Sequence, residues 1–90
     1  MFEHEREILE GKAIVEDMVC AFCKARGMDN HNLEWGPEDQ DRQFPLRVTV
    51  GGPSSARVLK IPRAPLENHE VGTLARLARN FVWQLTPDAP

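Results

Sequence analysis

The chain has little of what marks a secreted, membrane-spanning or cofactor-binding protein. Its 90 residues include only two cysteines, no tyrosine and no apolar run near the roughly 18–20 residues that a membrane-spanning helix needs. The first residues, MFEHE, are acidic where a signal peptide would be basic and then apolar. No Ser-His-Asp set, glycine-rich phosphate loop or HExxH motif can be read from it. These absences predict a cytoplasmic protein with no cofactor and no membrane partner, and they give no support for an enzyme.

Composition and charge are those of one small folded domain. Hydrophobic residues make up 41% of the chain and charged residues 28%, as in ordinary globular proteins. Residues 1–45 hold five Lys/Arg and eleven Asp/Glu, a net charge of −6, whereas residues 46–90 hold six and three, a net charge of +3. A domain this size buries only about 60–65% of its unfolded surface, so a partner would add stability. We expect one domain over residues 1–85, a frayed tail at 86–90, and association with a protein partner, most simply a second copy.

Two segments have helical period. The first runs from about Glu3 to Arg26 without proline and is followed by Gly27, a residue type that often ends helices. The second runs over Leu66–Leu85. Their apolar stripes comprise Ile8, Gly11, Val15, Met18, Val19, Phe22 and Ala25 in the first, and Val71, Leu74, Leu77, Ala78, Phe81, Val82 and Leu85 in the second. Both segments are therefore predicted to be amphipathic helices.

The middle of the chain has the pattern of strands. Residues 46–50, LRVTV, alternate apolar and polar side chains, and the turn GGPSS separates them from a second strand over residues 56–61. Residues 30–35 are a candidate for a short first strand, which the pattern alone leaves open. Each helix has one apolar face, and the sheet needs one covered face. We therefore predict an α+β fold in the order α-β-β-β-α, with two helices packed on one face of a short antiparallel sheet.

Trp83 is the least expected residue of the second helix. It lies about 180° from Leu74 at the centre of the apolar face, so no core is predicted around it. Arg79, four residues earlier, is in reach of its indole ring, and Arg76 and His69 continue the same polar stripe. Tryptophan and arginine are enriched in interface hot spots. The primary interpretation is a non-enzymatic, self-associating interaction module using these four residues, and the competing one is that Trp83 folds over a helix end or under the C-terminal tail.

Basic residues in the strand region suggest nucleic-acid binding as an alternative. The residues concerned are Arg47, Arg57, Lys60 and Arg63. The α-β-β-β-α order resembles that of double-stranded-RNA-binding domains, which place basic side chains at the start of the last helix on phosphates. Here that start, LENHE at residues 66–70, is acidic and would repel phosphates. The resemblance covers topology only, and no sequence motif supports it.

The two cysteines suggest a third function, a metal or redox site. Cys20 and Cys23 form a CxxC motif, and His31 is the histidine whose spacing best suits a shared metal ion. A structural zinc site needs four ligands, and there is no second cysteine pair. Reactive CxxC thiols sit at helix N-termini, whereas these lie near a C-terminus, which disfavours the thiolate. Both cysteines flank the apolar stripe, so packing is the favoured interpretation.

Overall fold

The computed structural model describes residues 3–28, 31–51 and 56–85. Its elements are α1 (Glu3–Ala25), β1 (His31–Trp35), β2 (Gln43–Val50), β3 (Arg57–Pro62), α2 (Arg63–Glu67) and α3 (Val71–Gln84). The predicted α+β fold is confirmed, and so is the candidate first strand. The predicted tail at 86–90 lies outside the described residues. No helix within the described ranges is both long and apolar enough to cross a membrane.

The three strands form one antiparallel sheet in the order β1-β2-β3. β2 begins at Gln43, earlier than the predicted position 46, because Phe44 is buried opposite Ile61. Pro45 is tolerated in this central strand because it lies beyond the end of β1. Its carbonyl accepts a hydrogen bond from the N–H of Gly36, the residue after β1, and the Pro45 nitrogen points to the same side. Because β1 has ended there, the absence of an N–H on Pro45 removes no hydrogen bond between β1 and β2.

The core lies between the sheet and the helices. Its fully buried members include Val15 and Val19 of α1, Leu46, Val48 and Ile61 of the sheet, Leu66 of α2, and Leu74, Ala78 and Val82 of α3. Cys23 is also fully buried, which agrees with the packing interpretation of that residue. Two predicted stripe residues lie outside the core: Ala25 is exposed, and Val71 is 55% exposed at the first position of α3. On the other sheet face Arg47 and Lys60 are exposed.

The prediction of one continuous second helix over Leu66–Leu85 is wrong at its start, because the helix is interrupted between α2 and α3. His69 takes a left-handed conformation with φ 51°, and the N–H of Glu70 donates to the carbonyl of Pro65 at 3.0 Å. Histidine is among the non-glycine residues enriched in this conformation. Leu66 and Leu74, one on each side of the break, are both fully buried. Their spacing is that of one continuous helix, so the sequence pattern does not reveal the break.

The helices α1 and α3 run side by side in the same direction. Near the start of both, the His69 ring contacts the carbonyl of Glu7 at 2.9 Å. Near the end of both, Arg26 donates to the carbonyl of Val82 at 2.7 Å. The C-terminal ends of the two helices therefore lie together at one end of the domain.

Candidate functional site

The exposed side of α1 and α3 at this end carries an aromatic and cationic surface. We call it the tryptophan face and define it as Phe22, Arg26, Arg76, Arg79 and Trp83. Trp83 remains 51% exposed. The ring of Phe22 meets its indole edge to face, with centroids 6.3 Å apart and planes at 82°. The guanidinium groups of Arg26 and Arg79 lie 5.4 and 5.5 Å from the indole centroid.

Two expectations for Trp83 can be compared with this geometry. The predicted stacking of Arg79 on Trp83 is confirmed. The competing interpretation is correct in part, since Trp83 packs on the end of α1 through Phe22 and Arg26. That packing leaves half of the Trp83 side chain exposed. The tail at 86–90 lies outside the described residues.

Arg26 fixes this surface from α1. Its Nη1 donates to the carbonyls of Val82 at 2.7 Å and Leu85 at 2.9 Å, two acceptors at the C-terminal end of α3. The Val82 carbonyl also accepts the N–H of Leu85 at 3.1 Å, and the cation adds a charged donor that offsets the negative end of the helix dipole. The same guanidinium lies over Trp83, so it both caps the helix and positions the indole. Arg26 and Val82 are 56 positions apart, so no sequence spacing could have revealed the contact.

An open groove of about 600 Å³ runs along the tryptophan face. Ala25, Ala75 and Asn80 complete its lining beside the aromatic rings and two of the arginines. The small alanine side chains leave the space of the groove between the larger side chains. Across the described residues, no carboxylate forms an ion pair with Arg76 or Arg79. The groove is thus apolar with unmatched positive charge at its edge.

His69 does not belong to this surface, contrary to the sequence prediction. Because α3 begins only at Val71, His69 lies in the break and points to α1 instead. Its Nε2 lies 2.9 Å from the carbonyl of Glu7 and 3.4 and 3.8 Å from the carboxylates of Glu7 and Glu10. These three residues are the one group within the described residues whose ligand atoms approach closely enough to hold a metal ion. The hydrogen bond to the Glu7 carbonyl requires a proton on Nε2, so that nitrogen has no lone pair to offer a metal.

The cysteines and His31 are only partly brought together. The Sγ atom of Cys20 lies 3.2 Å from Nε2 of His31, and Nδ1 of that ring lies 3.1 Å from the carbonyl of Met28. Cys23 is buried in the core instead. Burial raises the pKa of the Cys23 thiol, the nearby Cys20 adds to the rise, and Arg26 opposes it. Cys20 and His31 therefore form a pair without Cys23, which is too few ligands for a structural zinc ion.

The four cations expected to meet nucleic acid do not form one free basic surface. They are Arg47, Arg57, Lys60 and Arg63. Arg47 and Arg57 are exposed. Lys60 pairs with Asp39 at 3.5 Å, and Arg63 pairs with Glu38 at 2.9 Å. The hydrogen bond with Glu38 is the main cause of a raised pKa at Arg63. Half of the set is thus already neutralised by carboxylates from the loop before β2.

The tryptophan face is the site in which the largest exposed aromatic side chain, an open groove and unmatched charge coincide. Sequence spacing identified Arg76, Arg79 and Trp83, which share one helix. It missed Phe22, which the apolar period assigned to the core, and Arg26, which looked like an ordinary cation at a helix end. Comparison of this chain with protein-family models, with curated proteins and with solved structures found no match.

Proposed function

We propose that this chain is a protein-interaction module that pairs with a second copy of itself through the tryptophan face. The observation that carries the proposal is Trp83, half exposed yet held in one orientation by Phe22, Arg26 and Arg79. An ordered indole loses little conformational entropy on binding, because its partners already fix it. Covering an aromatic side chain in an interface contributes on the order of 1–3 kcal/mol, which is typical of a hot spot.

The charge distribution supports a second copy as the partner. The tryptophan face is cationic, whereas the first half of the same chain has a net charge of −6. Exposed carboxylates lie along that half at Glu5, Asp17, Glu34 and Asp41. In a two-fold dimer each copy would contribute its acidic surface to the tryptophan face of the other, so the complementary contact would occur twice. We place this module in the cytoplasm, where two free cysteines stay reduced.

Light scattering coupled to size-exclusion chromatography tests the proposal over a range of protein concentrations. We expect a dimer whose fraction rises with concentration and falls with added salt, because charge contributes to the contact. Trp83→Ala should yield a monomer. Arg76→Glu, which leaves the ring contacts of Trp83 in place, should also weaken the dimer by reversing one charge.

Val58→Ala is the matched control. Val58 is 53% exposed, close to the value for Trp83, but it lies on the outer face of the sheet. This variant should dimerise as the native chain does. A strict monomer at several hundred micromolar, or a dimer that Val58→Ala disrupts and Trp83→Ala does not, would refute the proposal. Thermal unfolding of each variant establishes that the fold is retained.

A further inference from the structure

The C-terminal end of α1 holds one backbone carbonyl in a fixed position. Gly27 takes a positive φ of 76°, its N–H donates to Lys24, and the N–H of Met28 donates to Cys23. This pair of hydrogen bonds is the Schellman arrangement, and the buried side chains of Met28 and Cys23 provide the apolar contact that accompanies it. The Met28 carbonyl is therefore fixed just before β1, within reach of the first residue of that strand, His31.

The His31 ring is oriented by this carbonyl. A carbonyl oxygen only accepts hydrogen bonds, so the nitrogen that faces it, Nδ1, carries the proton. In the neutral imidazole the other nitrogen, Nε2, then has a free lone pair. It faces Sγ of Cys20 at 3.2 Å, so the thiol of Cys20 donates to it. A nucleophile, a base and a group that orients the base are thus arranged in series.

We propose that Cys20 is a modification site at which the thiol exchanges with small disulfides, with His31 as the general base. As the sulfur of Cys20 attacks one sulfur of the disulfide, its proton moves to Nε2 of His31. A bond forms between the two sulfurs, the disulfide bond of the reagent breaks, and its second half leaves as a thiolate. That thiolate takes the proton from His31, so the products are a mixed disulfide on Cys20 and one free small thiol.

The contact of His31 with Cys20 places a proton acceptor beside the thiol. The C-terminal half of a helix does not favour an anion, so a neighbour that accepts the proton during attack assists the reaction. The nearest carboxylates along α1, Glu16 and Asp17, lie about one turn earlier, and Glu16 already accepts a hydrogen bond from Trp35. Cys20 is partly exposed, whereas Cys23 is buried, so the chain offers one accessible thiol and one protected thiol.

The experiment follows the reaction of the native protein with dithiodipyridine, a neutral disulfide whose released half absorbs light. Peptide mass spectrometry assigns the modified cysteine. We expect Cys20 to react in the folded protein and Cys23 to react only after unfolding. His31→Asn should lower the Cys20 rate by about tenfold or more near pH 7. The deficit should vanish near about pH 10, where hydroxide removes the proton without help.

His69→Asn is the matched control, since it removes a partly buried histidine that contacts α1 elsewhere. It should leave the Cys20 rate unchanged. An unchanged Cys20 rate in folded His31→Asn, or a Cys20 as slow as Cys23, would overturn the proposal. Nitrogen NMR of the native protein tests the same point without any variant: a neutral His31 ring that carries its proton on Nε2 would leave no base facing the thiol and would also overturn it.

Discussion

Replacing Gly11 with alanine would test how closely α1 approaches α2. A Cβ atom at this position would lie 2.2 Å from the carbonyl oxygen of Leu66, and 2.8 and 2.9 Å from the carbonyl carbon and Cα of the same residue. All three atoms are backbone, so no side-chain rotation relieves the clash. Extending 2.2 Å to the ordinary contact limit of 3.4 Å requires a displacement of about 1.2 Å between two packed helices.

Two effects of opposite sign decide the outcome of Gly11→Ala. Alanine favours a helix over glycine by about 1 kcal/mol. Overpacking a core costs about 1–3 kcal/mol, and a clash confined to backbone atoms belongs at the upper end of that range or above it. We therefore expect Gly11→Ala to lower the free energy of unfolding by about 2 kcal/mol or more. For a domain of this size, a loss of about 2 kcal/mol corresponds to a fall in Tm of about 8–16 °C.

Gly72→Ala provides the contrasting case in the same protein. Beyond its chain neighbours and the backbone of its own helix, no heavy atom lies within 4 Å of a Cβ built at Gly72, in the first turn of α3. The alanine should therefore raise the free energy of unfolding by up to about 1 kcal/mol. Urea denaturation of the native chain and both variants measures the two changes. A Gly11→Ala protein as stable as the native one would refute the close approach of the helices.

Two further predictions concern single contacts. Arg26→Ala should lower the free energy of unfolding by about 1–3 kcal/mol, because the carbonyls of Val82 and Leu85 lose a charged donor; an unchanged urea midpoint would contradict this. The pKa of the Asp39 carboxyl is held below its ordinary value, mainly by the hydrogen bond from the Gln43 N–H. The ionised carboxylate therefore stabilises the fold at any pH above the pKa that Asp39 has in the unfolded chain. This stabilisation is lost as the pH falls through the lower pKa that Asp39 has in the folded protein. The stability difference between the native protein and Asp39→Ala should therefore shrink below about pH 4, and a constant difference in thermal unfolding between about pH 6 and pH 2 would contradict it.

Most of the fold could be predicted from local pattern, and the exceptions have physical causes. The helical period of α1 and the alternation in β2 each report which side of an element is apolar, and the core uses those sides. The start of β2 was missed because Pro45 argues against a central strand, and only the end of β1 makes it acceptable there. The break at His69 was missed because Leu66 and Leu74 keep helical spacing across it.

The candidate site also contains contacts that follow from local sequence pattern and contacts that depend on tertiary packing. Arg79 and Trp83 are four residues apart on one helix, so their contact follows from helix geometry alone. The contributions of Phe22 and Arg26 depend on how α1 lies beside α3, which is a property of the whole domain. Cys20 and His31 were connected by the sequence through metal-ligand spacing. The fixed carbonyl that orients the His31 ring arises from a helix end and could not be inferred from that spacing.

The parallel arrangement of α1 and α3 has a consequence for how the chain folds. Parallel neighbours cannot be joined by a short loop, and here the entire sheet lies between them in sequence. The contacts of His69 with Glu7 and of Arg26 with Val82 span 62 and 56 positions. Closing such long loops costs conformational entropy, and this cost opposes the formation of both contacts. The β2–β3 hairpin joins residues that are close in sequence, so its entropy cost is smaller. During synthesis, the part of α1 that packs on α3 therefore stays uncovered until α3 has left the ribosome.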